Sequence, residues 1–174
     1  KGYERGSVGE GEEWSGGVVP TMRNLRMYAE AMAVNGAPAL PKKWQRPDGQ
    51  WVVEVLPSMW IEKVLFTGFS AEVWIKPGKE PTQGQVYRNK ASGTPADGGV
   101  GLVLAAGNVA SIGPMDALYK LIMDDEVVIL KMNPVNEYLG PFVERALAPF
   151  VDRGFVRIVY GGGEVGAHLC QHTD

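Results

Sequence analysis

The stretch "VGLVLAAGNVASIGPMDALYKLIMDDEVVILKMNP", Val100 to Pro134, decides the fold class. It begins with a continuous apolar run, which is typical of a strand that is covered on both faces. An amphipathic segment follows, with Met115, Leu118 and Ile122 at helical spacing, and "EVVILKM" then forms a second apolar run. A strand, a helix and a strand in this order indicate a right-handed βαβ unit and therefore a parallel pair of strands.

The same alternation continues towards the end of the chain. A second helical stripe lies between Leu139 and Phe150, and Pro149 should bend or end that helix. The run "FVRIVYGGG" predicts a third strand, and "EVGAHLCQH" begins a third helix. The region 99–174 is therefore predicted to be a partial α/β domain built on a parallel sheet.

The first 98 residues show different patterns. Residues 1–20 are rich in glycine and glutamate and predict a loose arm, and a helix is predicted from an N-cap at Thr21 to a left-handed stop at Asn35-Gly36. After a proline-rich connector, residues 50–92 are interpreted as short strands that include a projecting hairpin. The predicted regions are an N-terminal arm and helix over 1–49, a strand and hairpin region over 50–98, and the α/β domain over 99–174.

Composition narrows the class of protein. The chain has 174 residues, of which 45% are apolar and 21% charged, and a formal net charge of −3. This is a globular mixture without the basic stripe of a nucleic-acid-binding protein. No apolar run in the sequence approaches the length of a membrane span. The single cysteine, Cys170, favours a reducing compartment, and we expect a cytoplasmic location.

Polar or glycine-rich segments follow the three predicted strands directly. They are Gly107-Asn108, the segment 131–134 and the segment 161–163. Ligands of parallel sheets bind outside the carboxyl ends of the strands, so the three segments predict a binding site. A lysine such as Lys131 can donate to a hydroxyl or a phosphate there, and an asparagine amide can donate to a developing oxyanion. Taken singly, Lys131 slightly favours a ligand over a surface lysine, because it closes an apolar run, whereas Asn108 favours a turn residue over a donor.

The glycines after the third strand leave two interpretations open. Gly161, Gly163 and Gly166 match a G-x-G-x-x-G pattern, and exposed amides at a helix start attract an anion such as a pyrophosphate. The same glycines also suit a tight strand-to-helix turn in which a side chain would clash. Because the usual fingerprint follows the first strand of such a domain, the pattern alone does not decide between them.

Metal and cysteine chemistry have less support in the sequence. His168 and His172 share a helix face, but zinc takes three or four protein ligands, and the chain has two histidines and one cysteine. We therefore expect no metal site. Cys170 lies on the same amphipathic helix, away from the strand ends, and is predicted to be a packed residue rather than a nucleophile.

Three motifs in chain order, "LAAGN", "VVILKMNP" and "VYGGGEVG", resemble the coenzyme-binding domain of the aldehyde dehydrogenase superfamily. The resemblance covers about Val100 to Asp174. It implies an α/β fold with a Rossmann-like parallel sheet and flanking helices, preceded here by the N-terminal helix and the short antiparallel strands or hairpin. It also implies that Asn108 donates to the oxyanion of the thiohemiacetal, and that Lys131 bonds the adenosine ribose of NAD or NADP. The cofactor-binding residues that it implies are Lys131, Asn133, Gly161, Gly163, Val165 and Gly166.

The chain departs from the family pattern at two positions. Gly107 stands where an aromatic residue is common, and Pro134 stands where an acidic residue usually grips the ribose hydroxyls, which leaves the choice between NAD and NADP open. The general-base glutamate and the nucleophilic cysteine of the family lie beyond Asp174. We therefore expect the chain to be the N-terminal part of an oxidoreductase that acts on an aldehyde or acyl group, and to be inactive alone.

The alternative function is a non-catalytic remnant that serves as an interaction or assembly module. The two replaced positions motivate this alternative. In either case, an uncovered sheet edge and an apolar helix face predict self-association. The expected partners are a dinucleotide and, in the whole protein, an aldehyde or acyl substrate, with no nucleic acid and no membrane.

Overall fold

The computed structural model describes residues 2–39, 42–94 and 98–172, and within these residues the strands form two three-stranded sheets. The strands are β1 (Lys42–Gln45), β2 (Trp51–Leu56), β3 (Ala71–Trp74), β4 (Gly99–Leu104), β5 (Glu126–Lys131) and β6 (Val156–Val159). The helices are α1 (Val8–Glu13), a π-helical segment (Trp14–Val18), α2 (Val19–Ala33), α3 (Trp60–Leu65), α4 (Gln85–Ala91), α5 (Ile112–Met123), a 3₁₀ helix (Pro134–Leu139), α6 (Gly140–Ala146), α7 (Ala148–Val151) and α8 (Gly163–Gln171). In the described part of the chain, every helix is too short or too polar to cross a membrane.

The predicted parallel sheet is confirmed, with strand order β4-β5-β6. Helix α5 connects β4 to β5, and the 3₁₀ helix with α6 and α7 connects β5 to β6. The buried residues Val103, Leu118, Val128, Leu130 and Val156 form the centre of the core between the sheet and these helices. Helix α8 follows β6 and contacts β4, so the chain runs back across the sheet after its third strand. The end of the predicted domain, residues 173–174, lies outside the described residues.

The expectation that β4 is covered on both faces is wrong. Alternate side chains of a strand point to opposite faces, and Gly101 and Val103 are buried on the face that carries α5. The side chains of Val100 and Leu104 point the other way, and these residues are 60% and 50% exposed. The apolar run therefore has one packed face and one face that is open to solvent.

The strands predicted over residues 50–57 and 71–78 are confirmed as β2 and β3, which pair antiparallel. The prediction missed β1, which lies in the proline-rich connector and pairs with β2 through a short polar sequence. It also missed α3 and α4, because residues 50–92 were interpreted as strands. Helix α4 begins after Gly84, whose φ of 64° is favourable for glycine, and this glycine lies too close to the Gly36 backbone for any side chain.

The loose arm predicted over residues 1–20, and with it the helix start at Thr21, is wrong. The described part of this arm is helical from Val8, and the helix continues through the π-helical segment into α2. Its N-cap is Ser7, whose hydroxyl accepts from the Glu10 amide. The Thr21 hydroxyl instead donates to the Gly17 carbonyl inside the helix. The predicted stop is confirmed, because Asn35 and Gly36 both have a positive φ.

The buried carboxylate of Glu62, on α3, connects α2 to the segment that follows β2 of the antiparallel sheet. Glu62 is 2% exposed, and it accepts hydrogen bonds from Arg23 Nε and from the amide and hydroxyl of Ser58, at 2.6 and 2.9 Å for the latter two. Arg23 also donates to the Val55 carbonyl at 3.1 Å. Burial by itself would raise the pKa of Glu62, but the bonds from Arg23 and Ser58 outweigh it and hold the pKa at about 2.

We predict that this contact makes the stability of the protein acid-sensitive. A carboxylate whose pKa falls from 4.5 in the unfolded chain to about 2 in the native state stabilises the fold above pH 4.5. That contribution, about 3 kcal/mol at most, is lost progressively as the pH falls from about 4.5 to 2. Urea unfolding between pH 2 and 7 should show this slope in the native chain and a much smaller one in Glu62→Gln.

The matched control is Glu30→Gln, which removes an exposed carboxylate paired with Arg26 on the surface of α2. Exposed pairs contribute little, so this variant should keep the pH dependence of the native chain. Equal slopes in Glu62→Gln and in the native chain would contradict the assignment to Glu62.

Candidate functional site

The carboxyl ends of β4, β5 and β6 meet at one edge of the sheet because the strands are parallel. The ladder continues one residue beyond the strands. The Ala105 amide donates to the Lys131 carbonyl at 2.9 Å, and the Met132 amide donates to the Val159 carbonyl at 2.8 Å. The segments that come next, which carry Asn108, Asn133 and Gly161, therefore leave the sheet from the same edge.

Lys131 is the last residue of β5 and is only 5% exposed. Its main chain belongs to the ladder, but its ammonium makes no hydrogen bond and no ion pair with any residue that the structure describes. Lys131 Nζ is not among the fully buried nitrogen and oxygen atoms without a partner that the described residues contain, so the ammonium keeps contact with water while the rest of the side chain is buried. A ligand with hydroxyl or anionic oxygens at this edge would supply the missing acceptors.

Asn108 lies exposed in the loop between β4 and α5. Its side-chain amide has no hydrogen-bond partner within the described ranges, so both of its N–H groups are available to a ligand. The turn interpretation does not require this residue in particular, because its φ is not among the positive values of the chain. The structure thus leaves Asn108 as a free donor on the loop after the first parallel strand.

Asn133 has a local structural role. Its Oδ1 accepts from the Val135 amide at 3.0 Å and caps the 3₁₀ helix Pro134–Leu139, which we call the 134–139 helix. The same side chain packs against Gly107, where a Cβ would lie 3.0 Å from Oδ1. A side chain at position 107 would therefore crowd the Asn133 amide.

The 134–139 helix connects the loop after β4 with the loop after β6. Asn136 is 3% exposed, and its Nδ2 donates to the carbonyls of Ala106 and Gly107, at 3.1 Å in each case. The next residue, Glu137, accepts from the Gly161 amide at 2.7 Å. Sequence reasoning missed both residues. The available signal was the polar pair "NE" inside a segment that directly follows a strand end.

The glycine turn after β6 is already occupied by carboxylates. The Gly161 amide donates to Glu137, and the Gly162 amide donates to Glu164 Oε1 at 3.1 Å. Gly161 has a φ of 121°, and a Cβ there would lie 2.6 Å from Val165. These observations favour the tight-turn interpretation over a pyrophosphate site, because an added anion would have to displace two carboxylates.

The remaining predicted residues of the turn lie on the first part of α8. Gly163 is exposed with open space around its α-carbon, Val165 is half-buried against Gly161, and Gly166 is buried. This arrangement leaves room beside Gly163 and none beside Gly161.

Tyr160 directly follows β6 and packs over the start of α6, next to the glycine turn. The Tyr160 hydroxyl donates to Glu144 at 3.0 Å and lies directly over Gly140, where any side chain would clash. Burial and the neighbouring Glu144 carboxylate raise the pKa of Tyr160, so the hydroxyl keeps its proton at neutral pH.

The prediction that Cys170 is a packed residue is wrong, since it lies exposed on α8. The buried position of this helix is Gly166, and Cys170 lies one turn further along the same face, where the helix is exposed. His168 and His172 have their ring centroids 4.9 Å apart in an edge-to-face arrangement. Within the described residues, no group of three or more metal-ligating side chains comes together.

Comparison of the chain with protein-family models, with curated proteins and with solved structures finds no match. The function is therefore inferred from the geometry and from the sequence pattern. The geometry supplies an exposed amide, a buried lysine without an acceptor and a glycine turn, all at one edge of a parallel sheet.

We predict that Asn136→Ala loosens the loop after β4. The variant loses two hydrogen bonds and leaves the carbonyls of Ala106 and Gly107 without their donor, which should cost about 1–3 kcal/mol of unfolding free energy. Amide hydrogen exchange should become faster at residues 105–109 than in the native chain. Gln85→Ala, which removes an exposed bond to Asn89 on α4, should change the stability by less than about 0.5 kcal/mol. Unchanged exchange at residues 105–109 would show that Asn136 does not hold this loop.

Proposed function

We propose that this chain is the coenzyme-binding part of an NAD(P)-dependent oxidoreductase of the aldehyde dehydrogenase type, which acts on an aldehyde or acyl group. The observation that carries the proposal is the position of Asn108, Lys131 and the Gly161 turn. They follow three consecutive parallel strands, in the order of the family motifs, and the 134–139 helix joins the first and third of their loops.

The course of the chain after β6 supports a dinucleotide-binding arrangement. Helix α8 contacts β4 rather than extending the sheet beyond β6. In doubly wound α/β domains the chain returns across the first strand in this way, and ligands bind at the strand ends where the winding reverses. We therefore interpret the parallel sheet as half of a Rossmann-like domain, with the binding crevice at the carboxyl end of β4.

Lys131 is the proposed ligand of the cofactor's adenosine ribose. Its ammonium lacks an acceptor, and each of the two ribose hydroxyls of NAD can accept a hydrogen bond from it. Pro134 puts no carboxylate at the position where the family usually has an acid, so the 2′-phosphate of NADP meets no repulsion from that residue. Both cofactors are therefore candidates, and titration with each of them decides between the two.

Asn108 is the proposed oxyanion donor. Its exposed amide can donate to the oxygen of a thiohemiacetal whose sulfur comes from elsewhere in the whole protein. NAD or NADP, when bound at this site, would supply the hydride acceptor for oxidation of the substrate. Cys170 is not the proposed nucleophile, because it lies on α8 rather than at a strand end.

We predict that Lys131→Met weakens dinucleotide binding without destabilising the fold. Calorimetry should show binding of NADH or NADPH to the chain and at least tenfold weaker binding to the variant. Because methionine fills the space of the buried lysine stem, the variant should keep its unfolding free energy within about 1.5 kcal/mol of the native value. A lysine with a purely structural role would instead lose stability on this substitution and would leave dinucleotide binding unchanged.

Two controls define this experiment. Lys76→Met, on the exposed loop after β3, should leave both binding and stability close to those of the native chain. Asn108→Ala should bind the dinucleotide normally, because its proposed role begins with the substrate. Failure of the native chain to bind either dinucleotide, or equal binding by Lys131→Met, would contradict the proposal.

A second candidate function is an assembly module. β4 is an edge strand of the described sheet, and Val100 and Leu104 expose apolar surface beside that edge. Exposed apolar edges favour association with another chain. Concentration-dependent sedimentation together with an absence of dinucleotide binding would favour this function over the first.

A further inference from the structure

An apolar groove of about 660 Å³ lies between the N-terminal helix and helices α5 and α6. Leu118 and Leu147 form buried parts of its lining, while Trp14, Met22 and Phe142 line it with half-exposed or exposed aromatic and aliphatic surface. This volume lies within the usual range of about 300–1,000 Å³ for small-molecule sites. None of Asn108, Lys131 or the glycine turn lines the groove, so a ligand of the groove is independent of the proposed function.

Thr21 and Ser111, two of the three hydroxyl-bearing residues of the lining, have hydroxyls that are already bonded within the protein; the third is Tyr3. The Thr21 hydroxyl donates to the Gly17 carbonyl at 2.8 Å, and the Ser111 hydroxyl donates to the Gly16 carbonyl at 2.6 Å. The groove therefore offers a polar ligand few free partners. An apolar chain, in contrast, would bury its own surface and that of the lining without removing water from an unsatisfied hydroxyl.

One wall of the groove is the π-helical segment Trp14–Val18. π-helical turns are rare, and they occur mostly at functional sites. Here the segment carries Gly16 and Gly17, whose carbonyls accept the two hydroxyl bonds, and Trp14 and Val18, which line the groove. This irregular backbone is a second, independent indication of a ligand site.

The charge of the lining restricts the head group of a ligand. Glu10 lines the groove and is half-buried, and its carboxylate accepts from the Gly6 amide without forming an ion pair in the described part of the chain. The lining found among the described residues contains no lysine or arginine. Glu13 also lines the groove, so a ligand that carries a carboxylate would be repelled by two carboxylates, whereas an uncharged head group would not.

We propose that this groove binds the alkyl chain of a small amphiphile with an uncharged head group, such as a primary alcohol or an aldehyde. The alkyl chain of the ligand lies against Leu118 and Leu147, and its head group lies at the end of the groove near Glu10. The source is a free small molecule, because the groove is open to solvent and its volume is that of a small-molecule site.

Calorimetric titration of the chain with hexanol, octanol and decanol tests this proposal. If each added methylene is buried, the dissociation constant should fall about three- to fourfold for each one, and thus about tenfold from hexanol to octanol. An affinity that does not change with chain length, or no binding of decanol, would overturn the proposal.

Two variants locate the site. Ala146→Phe puts a large side chain on an exposed wall of the groove and should weaken decanol binding at least tenfold without removing any core contact. Ala29→Phe, an exposed position of α2 outside the groove, is its matched control and should bind as the native chain does. Equal binding by both variants would overturn the location.

The head-group preference has its own test. Decanoate should bind the native chain more weakly than decanol, and Glu10→Gln should reduce that difference while leaving decanol binding unchanged. Equal binding of both ligands to the native chain would overturn the role of Glu10. If Ala146→Phe abolishes self-association in sedimentation and decanol does not compete with it, the groove binds a second copy of the chain and the proposal is wrong.

Discussion

The amide of Asn136 is the contact on which the candidate site depends. It is buried at the start of the 134–139 helix, and it holds the carbonyls of Ala106 and Gly107. A buried amide of this kind must be bonded, because an unsatisfied donor in the interior is costly. Its neighbour Glu137 makes the equivalent contact with the Gly161 amide on the other side. One turn of helix after β5 thus fixes the loops after β4 and β6 together.

Glu62 and Lys131 are both buried residues, but the surroundings of their charged groups differ. Glu62 has a guanidinium, a hydroxyl and a main-chain amide around it, and its pKa is correspondingly low. Lys131 is buried almost as fully and has no acceptor among the described residues. The first arrangement joins two elements of the fold. The second leaves the donors of the ammonium unused within the described part of the chain.

The regular part of the fold could be predicted from the sequence, and the reasons are physical. Three apolar runs alternate with helical stripes after Gly99, and only a parallel sheet accommodates that order. The position of Lys131 and Asn108 at the same edge followed from that topology alone. The roles of Asn136 and Glu137 could not be predicted, because their partners lie about 30 residues earlier and 24 residues later in the chain.

The errors in the first half of the chain have a common cause. Glycines at positions 9, 11, 16 and 17 suggest a loose arm, but tertiary contacts override this low helix propensity. Gly9 packs beneath the Tyr3 ring, and the Gly16 carbonyl is bonded by Ser111 at the start of α5. Of these four glycines, only Gly9 lies where a side chain would clash. Gly17 lines the groove between the N-terminal helix and α5.

The central claim is that the three strand-end loops form one dinucleotide site, and two-dimensional amide NMR tests it most directly. Titration with NADH, or with NADPH if that is the cofactor bound, should shift the amide resonances of Asn108, Met132 and Gly163. All three should follow a single binding curve, while resonances of β1 to β3 stay in place. Shifts at one loop alone, different curves for the three loops, or no shift with either dinucleotide would contradict the account.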